Sequence, residues 1–281
     1  MQRRRASPKE ETMQFKHVTL DFEGPVAVLR LDHQEVMNAV SIDMLSGLGE
    51  ALDEIEDRKA EVRCLVITGA GRAFCTGANL QGRGNQQANQ QTKPGRSNAG
   101  AALETAFHPF LRRLRNLHCP IVSAVNGPAA GAGMSFALMG DMILCAKSSY
   151  FLQAFRRIGL VPDCGSTWLL PRLVGRARAI ELSLMGEKLP AEKALEWGLV
   201  NRVHEDAVLM EEAMKLATEL ANGPTVALAL IRRLYWDSPE NSFEEQLNLE
   251  FQSQRVAGNT ADFKEGVTAF LEKRPAKFRG Q

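Results

Sequence analysis

The sequence carries almost no net charge: 34 Lys and Arg stand against 33 Asp and Glu over 281 residues, a formal balance of +1. That removes the electrostatic footprint of a protein built for nucleic acid or an anionic membrane surface, so any anion site must be local. No run approaches the roughly 18 apolar residues that a membrane-crossing helix needs. The five cysteines, Cys64, Cys75, Cys119, Cys145 and Cys164, include no CxxC pair. They read as buried free thiols in a reducing, cytoplasmic setting rather than as a disulfide framework or a zinc site. The histidines show neither metal-ligand spacing nor a triad partner, and His17 reads as a surface strand residue. GxGxxG and GxxxxGK(S/T) are both missing, which disfavours a dinucleotide or P-loop site.

What remains is an ordinary globular composition, 44% apolar and 24% charged, enough for one large domain or a domain with an appendage. Residues 1–14 open with Met1-Gln2-Arg3-Arg4-Arg5, continue without an apolar stretch, and read as a disordered extension rather than a secretory signal. From Phe15 to Asp32 two alternating runs flank Glu23-Gly24-Pro25 and predict a hairpin. Ser41 is a good N-cap for a helix carrying Ile42, Leu45, Leu48, Leu52 and Ile55 on one face. Strands are expected at Val62–Thr68, Ile121–Val125, Asp141–Ala146 and Leu199–Val203, with helices at Leu103–Leu117 and Met134–Met139. Residues 81–98, rich in Gln, Asn and Gly, read as a mobile surface loop, either a lid or a bland insertion. After Ser166 the pattern is helical almost throughout. The arrangement is therefore α/β, with a core over 15–200 and a helical C-terminal region over 201–281.

Two segments could carry chemistry. Ala73-Phe74-Cys75-Thr76-Gly77-Ala78-Asn79-Leu80 and Asn126-Gly127-Pro128-Ala129-Ala130-Gly131-Ala132-Gly133 each follow a buried strand and place small residues where the chain must turn. Small residues let a ligand approach backbone N–H groups, and two converging donors make an oxyanion hole. Taken alone, both are equally ordinary strand-to-helix turns. Asp163, in Pro162-Asp163-Cys164-Gly165-Ser166, reads on its own as a cap for a helix starting near Ser166.

The order of Met37-Asn38-Ala39, Ala73 to Asn79, Ala124-Val125-Asn126-Gly127 with Gly131-Ala132-Gly133, Gly159-Leu160-Val161-Pro162-Asp163 and Ala269-Phe270-Leu271-Glu272-Lys273-Arg274 resembles the enoyl-CoA hydratase/isomerase (crotonase) family, from about residue 15 to the C-terminus. That resemblance implies a spiral of repeated ββα units with a helical trimerisation region, assembled as a homotrimer or as a hexamer built from two trimers. It implies an acyl-CoA thioester as substrate and no separate cofactor or metal. The oxyanion donors fall on the backbone N–H groups of Ala78 and Ala132. The CoA and acyl parts fall against Ala39, Ala78, Asn79, Leu80, Gln81, Gly131, Ser135 and Phe155, with Phe270 and Lys273 arriving from a neighbouring subunit.

The family's hydratases use two glutamates, and this sequence has Ser135 and Phe155 in their places. Neither can serve as a carboxylate base. Several isomerases of the family carry their catalytic aspartate where Asp163 stands. The resemblance therefore implies an isomerase in which Asp163 shuttles a proton while Ala78 and Ala132 hold the enolate oxygen. A hydratase of unusual type, or an acyl-CoA-binding homologue without chemistry, are the alternatives. Arg156 and Arg157 read as solvated or ion-paired, and Trp168, Trp197 and Trp236 as packing residues.

Overall fold

The computed structural model describes residues 11–80 and 100–281. Residues 1–10 and the whole of the expected loop at 81–98, Gln81 included, lie outside the described residues. In chain order the first half contains β1 (Glu11–Phe15), β2 (Val18–Glu23), β3 (Val26–Leu31), α1 (Ile42–Asp57), β4 (Cys64–Gly69), α2 (His108–Arg115) after a π turn at Leu103–Phe107, β5 (Ile121–Val125) and β6 (Ala129–Ala130). Then follow α3 (Ala132–Ala137), β7 (Met142–Ala146), β8 (Tyr150–Leu152), α4 (Ser166–Val174), α5 (Arg176–Met185), β9 (Lys188–Pro190), α6 (Ala191–Glu196) and β10 (Arg202–His204). Four helices close the chain: α7 (Leu209–Ala221), α8 (Thr225–Asp237), α9 (Phe243–Gly258) and α10 (Ala261–Leu271).

The strands form a seven-stranded sheet in the order β1-β2-β3-β4-β5-β7-β10 and a three-stranded sheet in the order β6-β8-β9. β1 to β3 pair antiparallel, whereas β3, β4, β5, β7 and β10 run parallel. A parallel sheet is buried on both faces, so its central strands are mostly apolar and alternate residues feed two cores. Ala27, Leu29, Leu65, Ile67, Ile121, Val125, Ile143 and Cys145 point into the main core beneath α1 and α2. Val26, Val28, Cys64, Val66, Val122, Ala124, Leu144 and Ala146 meet Leu209, Ala213, Leu216 and Ala217 of α7 on the opposite face.

The ββα repeat is visible in the connections. β5–β6–α3 and β7–β8–α4 each place one strand in the large sheet, a short one in the small sheet, and then a helix. After β4 the corresponding short segment is Cys75, bridged in parallel to Ala129.

Ser41 caps α1, accepting from Met44 N at 3.1 Å, but the buried face includes Met44 and leaves Ile42 57% exposed. The expected hairpin is a three-stranded meander, because the chain turns at His17, in the left-handed region at φ 60°. His17 is thus a turn residue rather than a strand residue, and residues 11–14, expected in the extension, belong to β1. The boundary expected at residue 200 falls before β10, which still pairs with β7 in the large sheet. The helical C-terminal region proper begins with α7, and that helix covers the core.

Candidate active site

Two asparagines fasten the segment that follows β4. Asn38, fully buried, donates from Nδ2 to the carbonyls of Ala70 at 2.9 Å and Ala73 at 2.8 Å, while its Oδ1 accepts from His33 N at 2.9 Å. Its φ of 56° is one that asparagine tolerates better than most side chains. From the other side Asn126 donates to Gly71 O at 2.9 Å and accepts from Gly69 N at 3.1 Å. Both asparagines lie in the sequence motifs, yet their positioning role was not apparent there. The signal available was an amide side chain beside a strand exit, able to satisfy several carbonyls of one turn.

Held in this way, residues 75–79 form short bridges on both flanks. Cys75 N donates to Pro128 O at 3.0 Å and Ala130 N to Cys75 O at 2.9 Å; on the other flank Val40 N donates to Gly77 O at 2.7 Å and Asn79 N to Val40 O at 2.8 Å. Extended backbone alternates its donors, so the N–H of Ala78 faces away from these partners. Ala132 opens α3, where the first N–H groups have no intrahelical acceptor. Neither amide donates to a protein acceptor among the described residues.

Two glycines bring these donors together. Gly77 has φ 98°, and a Cβ built on it would lie 3.0 Å from Ala130 O and 3.7 Å from Ala132 N. A Cβ built on Gly131, at φ 53°, would lie 3.8 Å from the Cα of Gly77 and 3.8 Å from Cζ of Phe155. Ala132 itself is not among the residues with positive φ, and its methyl group belongs to the main core, so alanine is accommodated there without backbone strain.

Asp163 follows a turn at Phe155–Ile158 and precedes two successive left-handed residues, Cys164 at φ 52° and Gly165 at φ 82°. The N-cap of α4 is Gly165, which has no side chain to offer, so Asp163 is not the cap that its local sequence predicts. It meets the helix with its main-chain carbonyl instead. That oxygen accepts from Ser166 N at 3.0 Å, Ser166 Oγ at 2.8 Å and Ser135 Oγ at 3.3 Å. Ser135 is fully buried on α3, one turn beyond Ala132, and so ties Asp163 to the helix that supplies the second amide. The Oδ1 atom of Asp163 is shut off from solvent. Burial first, then the Asp163 carboxylate and its hydrogen bond with the thiol, push Cys164 far above an ordinary cysteine, so it stays protonated beside that carboxylate.

The remaining expected residues fall in two places. Ala39 is buried next to Asn38, Asn79 is half-buried, and Leu80 is 47% exposed at the end of the described segment. Phe270 is 83% exposed, and Lys273 stands just beyond α10 with φ 54°. No hydrogen bond or ion pair among the described residues joins either to the amide pair. Arg156 and Arg157 are exposed, as the solvated reading expects, and neither is in an ion pair among the described residues. Arg156 donates to the carbonyls of Leu184 and Met185, and Arg157 to Gly186 at 2.7 Å, binding the turn before Asp163 to the end of α5. Trp168 and Trp236 stack on each other with centroids 5.3 Å apart, as packing residues do.

Two convergent N–H donors stabilise negative charge on an oxygen, and a carboxylate tied to the same helix can move a proton to or from a neighbouring carbon. Known proteins resemble the chain along most of its length. A family model described as enoyl-CoA hydratase/isomerase matches residues 21–281. The 1,2-epoxyphenylacetyl-CoA isomerase of Escherichia coli is 44% identical over 259 residues, covering 92% of this chain and 97% of that protein. A probable enoyl-CoA hydratase from Rhodobacter capsulatus is 39% identical over 269 residues, covering 96% of this chain and 100% of that protein. The crystal structure of an enoyl-CoA hydratase/isomerase from Cupriavidus metallidurans matches with a TM-score of 0.86 at 32% identity, covering 95% of this chain and 98% of that one.

Proposed function

The chain belongs to the enoyl-CoA hydratase/isomerase family, and from that premise we propose that it is an acyl-CoA isomerase whose single carboxylate, Asp163, moves a proton along the acyl chain of a thioester. The observation that carries this reading is the pair of unengaged amides, Ala78 and Ala132, brought together through Gly77 and Gly131. The thioester oxygen accepts from both. Asp163 removes a proton from the carbon next to the thioester, the electrons move onto the oxygen as an enolate, and the same carboxylate returns the proton two carbons further along. The cycle needs neither a metal nor a redox group. The E. coli relative's name supports a ring-bearing thioester as one substrate, and the family's description supports enoyl thioesters as another class.

In this reading Ala39, Asn79, Leu80 and Gln81 line the CoA end, with Ser135 and Phe155 nearer the acyl chain. Phe270 and Lys273 reach CoA bound to a neighbouring subunit of a homotrimer or a dimer of trimers. The exposed apolar side chains of the last helices support such an assembly: Phe243 is 74%, Phe251 59% and Phe270 83% exposed in one chain. No helix among the described residues is long and apolar enough to cross a membrane. The five cysteines are buried free thiols, which suits the reducing cytoplasm.

The test is conversion of a 3-enoyl-CoA to its conjugated 2-enoyl isomer, followed in the ultraviolet. Asp163→Asn should lower kcat by roughly 10²–10⁴-fold, the range for loss of a positioned acid–base group, with thioester binding retained. Full turnover by that variant would refute the assignment. The hydratase-named relative keeps a second reading in view: steady hydration of crotonyl-CoA without isomerisation would make this chain a hydratase in which Asp163 activates water.

A further inference from the structure

Phe155 is the one buried aromatic side chain among the described residues that belongs to neither hydrophobic core. It is 7% exposed, while Phe22, Phe74, Phe107, Phe110, Phe136 and Phe151, also buried, all sit in the main core. Its ring tip is instead turned toward the amide pair. A Cβ on Gly131 would stand 3.8 Å both from Phe155 Cζ and from the Cα of Gly77, and a Cβ on Gly77 would stand 3.7 Å from Ala132 N. The turn that carries the ring is fastened by Arg156 and Arg157 to the end of α5, and its Phe155 carbonyl accepts from Leu160 N at 3.1 Å. The phenyl group is therefore a fixed apolar wall beside the oxyanion donors.

We infer that Phe155 determines reaction specificity: by occupying the space beside the oxyanion donors it excludes water from the β carbon and so confines a bound enoyl thioester to isomerisation rather than hydration. The inference rests on the enolate reading above. Both outcomes pass through similar charge on the thioester oxygen. In isomerisation one C–H bond breaks and another forms two carbons away, leaving the composition unchanged. In hydration of a 2-enoyl thioester, water oxygen bonds to the β carbon, the double-bond electrons move to the thioester oxygen, and the proton lost from water is returned to the α carbon. Net addition of one water follows, without redox change. The two routes differ in whether a water molecule has room and polar partners within reach of the β carbon. A phenyl ring supplies neither, and by keeping the site dry it also strengthens the two N–H donors.

The experiment compares the full-length wild type with Phe155→Leu, Phe155→Ala and Phe155→Glu. Each is incubated with crotonyl-CoA and with 3-hexenoyl-CoA in ¹⁸O-water, and 3-hydroxyacyl-CoA and isomerised product are separated by mass. Phe155→Ala opens the space, Phe155→Glu opens it and gives water a partner, and Phe155→Leu keeps it filled and apolar. The inference predicts that the ratio of labelled hydroxyacyl product to isomer rises at least tenfold in the alanine or glutamate variant and keeps its wild-type value in the leucine variant. It is overturned if hydration stays at the wild-type rate in both the alanine and glutamate variants. Wild-type protein that isomerises nothing would count against the enolate reading instead, and labelled hydroxyacyl product in the variants would still decide the role of Phe155.

Discussion

Gly77 is the residue on which the proposed oxyanion site most depends, because it combines a left-handed φ with close approach. At φ 98°, with Ala130 O 3.0 Å from a built Cβ, an alanine is both strained and crowded. Gly77→Ala should push the Ala78 and Ala132 segments apart and lower kcat by roughly 10²–10³-fold, the cost of losing one oxyanion donor, which steady-state kinetics reads directly. A pH effect arises at His33. Its ring stacks on His17 with centroids 3.7 Å apart, and its main-chain N–H donates to Asn38. Burial first, then His17, lower the His33 pKa, with Glu35 opposing. Its folded-state pKa lies below the ordinary value, so the unfolded chain binds the proton more readily. Stability is complete above about pH 6.5 and falls as pH drops through that value toward the folded pKa. Thermal unfolding between pH 8 and pH 5 should show a smaller loss of Tm in His33→Asn than in the wild type, and equal losses would show that the pair contributes nothing.

At the scale of elements, α8 is locked to the sheet by one buried group. Arg232 pairs with Asp141, which also accepts from Ile121 N at 2.7 Å, and donates to Leu117 O at 2.7 Å and Leu114 O at 3.2 Å. Arg232→Ala leaves Asp141 and two carbonyls without their partner and should cost roughly 3–5 kcal/mol in chemical denaturation. The elements readable from the sequence are those whose apolar pattern runs for a full turn or strand: α1 with its Ser41 cap, β5 with apolar residues on either side of Ser123, and α5 to α10 by helical period. The small sheet was not readable. β6 has two residues and β8 and β9 three each, too short for an alternation to register, and their pairing is set by tertiary contact. The first strands were misjudged because the turn at Lys16 and His17 contains no Gly, Pro or Asn to announce it. At the site, the small-residue segments and Asp163 were legible as motifs. The way Ser135 and Ser166 hold the Asp163 carbonyl was not, since it joins α3 and α4 across many residues of chain.

Over the whole molecule, one chain buries two continuous cores yet leaves the aromatic side chains of α9 and α10 in solvent. Folded chains rarely leave so contiguous an apolar surface bare, and a closed ring of identical subunits is the simplest cover. Mass photometry should return trimers or hexamers, and the proposed contact of Phe270 and Lys273 with a neighbour's CoA requires it. A monomer at working concentration would contradict that shared site while leaving the amide pair and Asp163 untouched, since all of these lie within one chain. The most direct test of the central claim, one carboxylate serving as the only proton carrier, is isomerisation of 3-hexenoyl-CoA in D₂O, with the 2-enoyl product weighed at low conversion. With Oδ1 closed to solvent, a proton taken on that oxygen returns to carbon in competition with exchange through the half-buried carboxylate, so a measurable fraction of product should contain no deuterium. Product carrying one deuterium in every molecule would contradict the account.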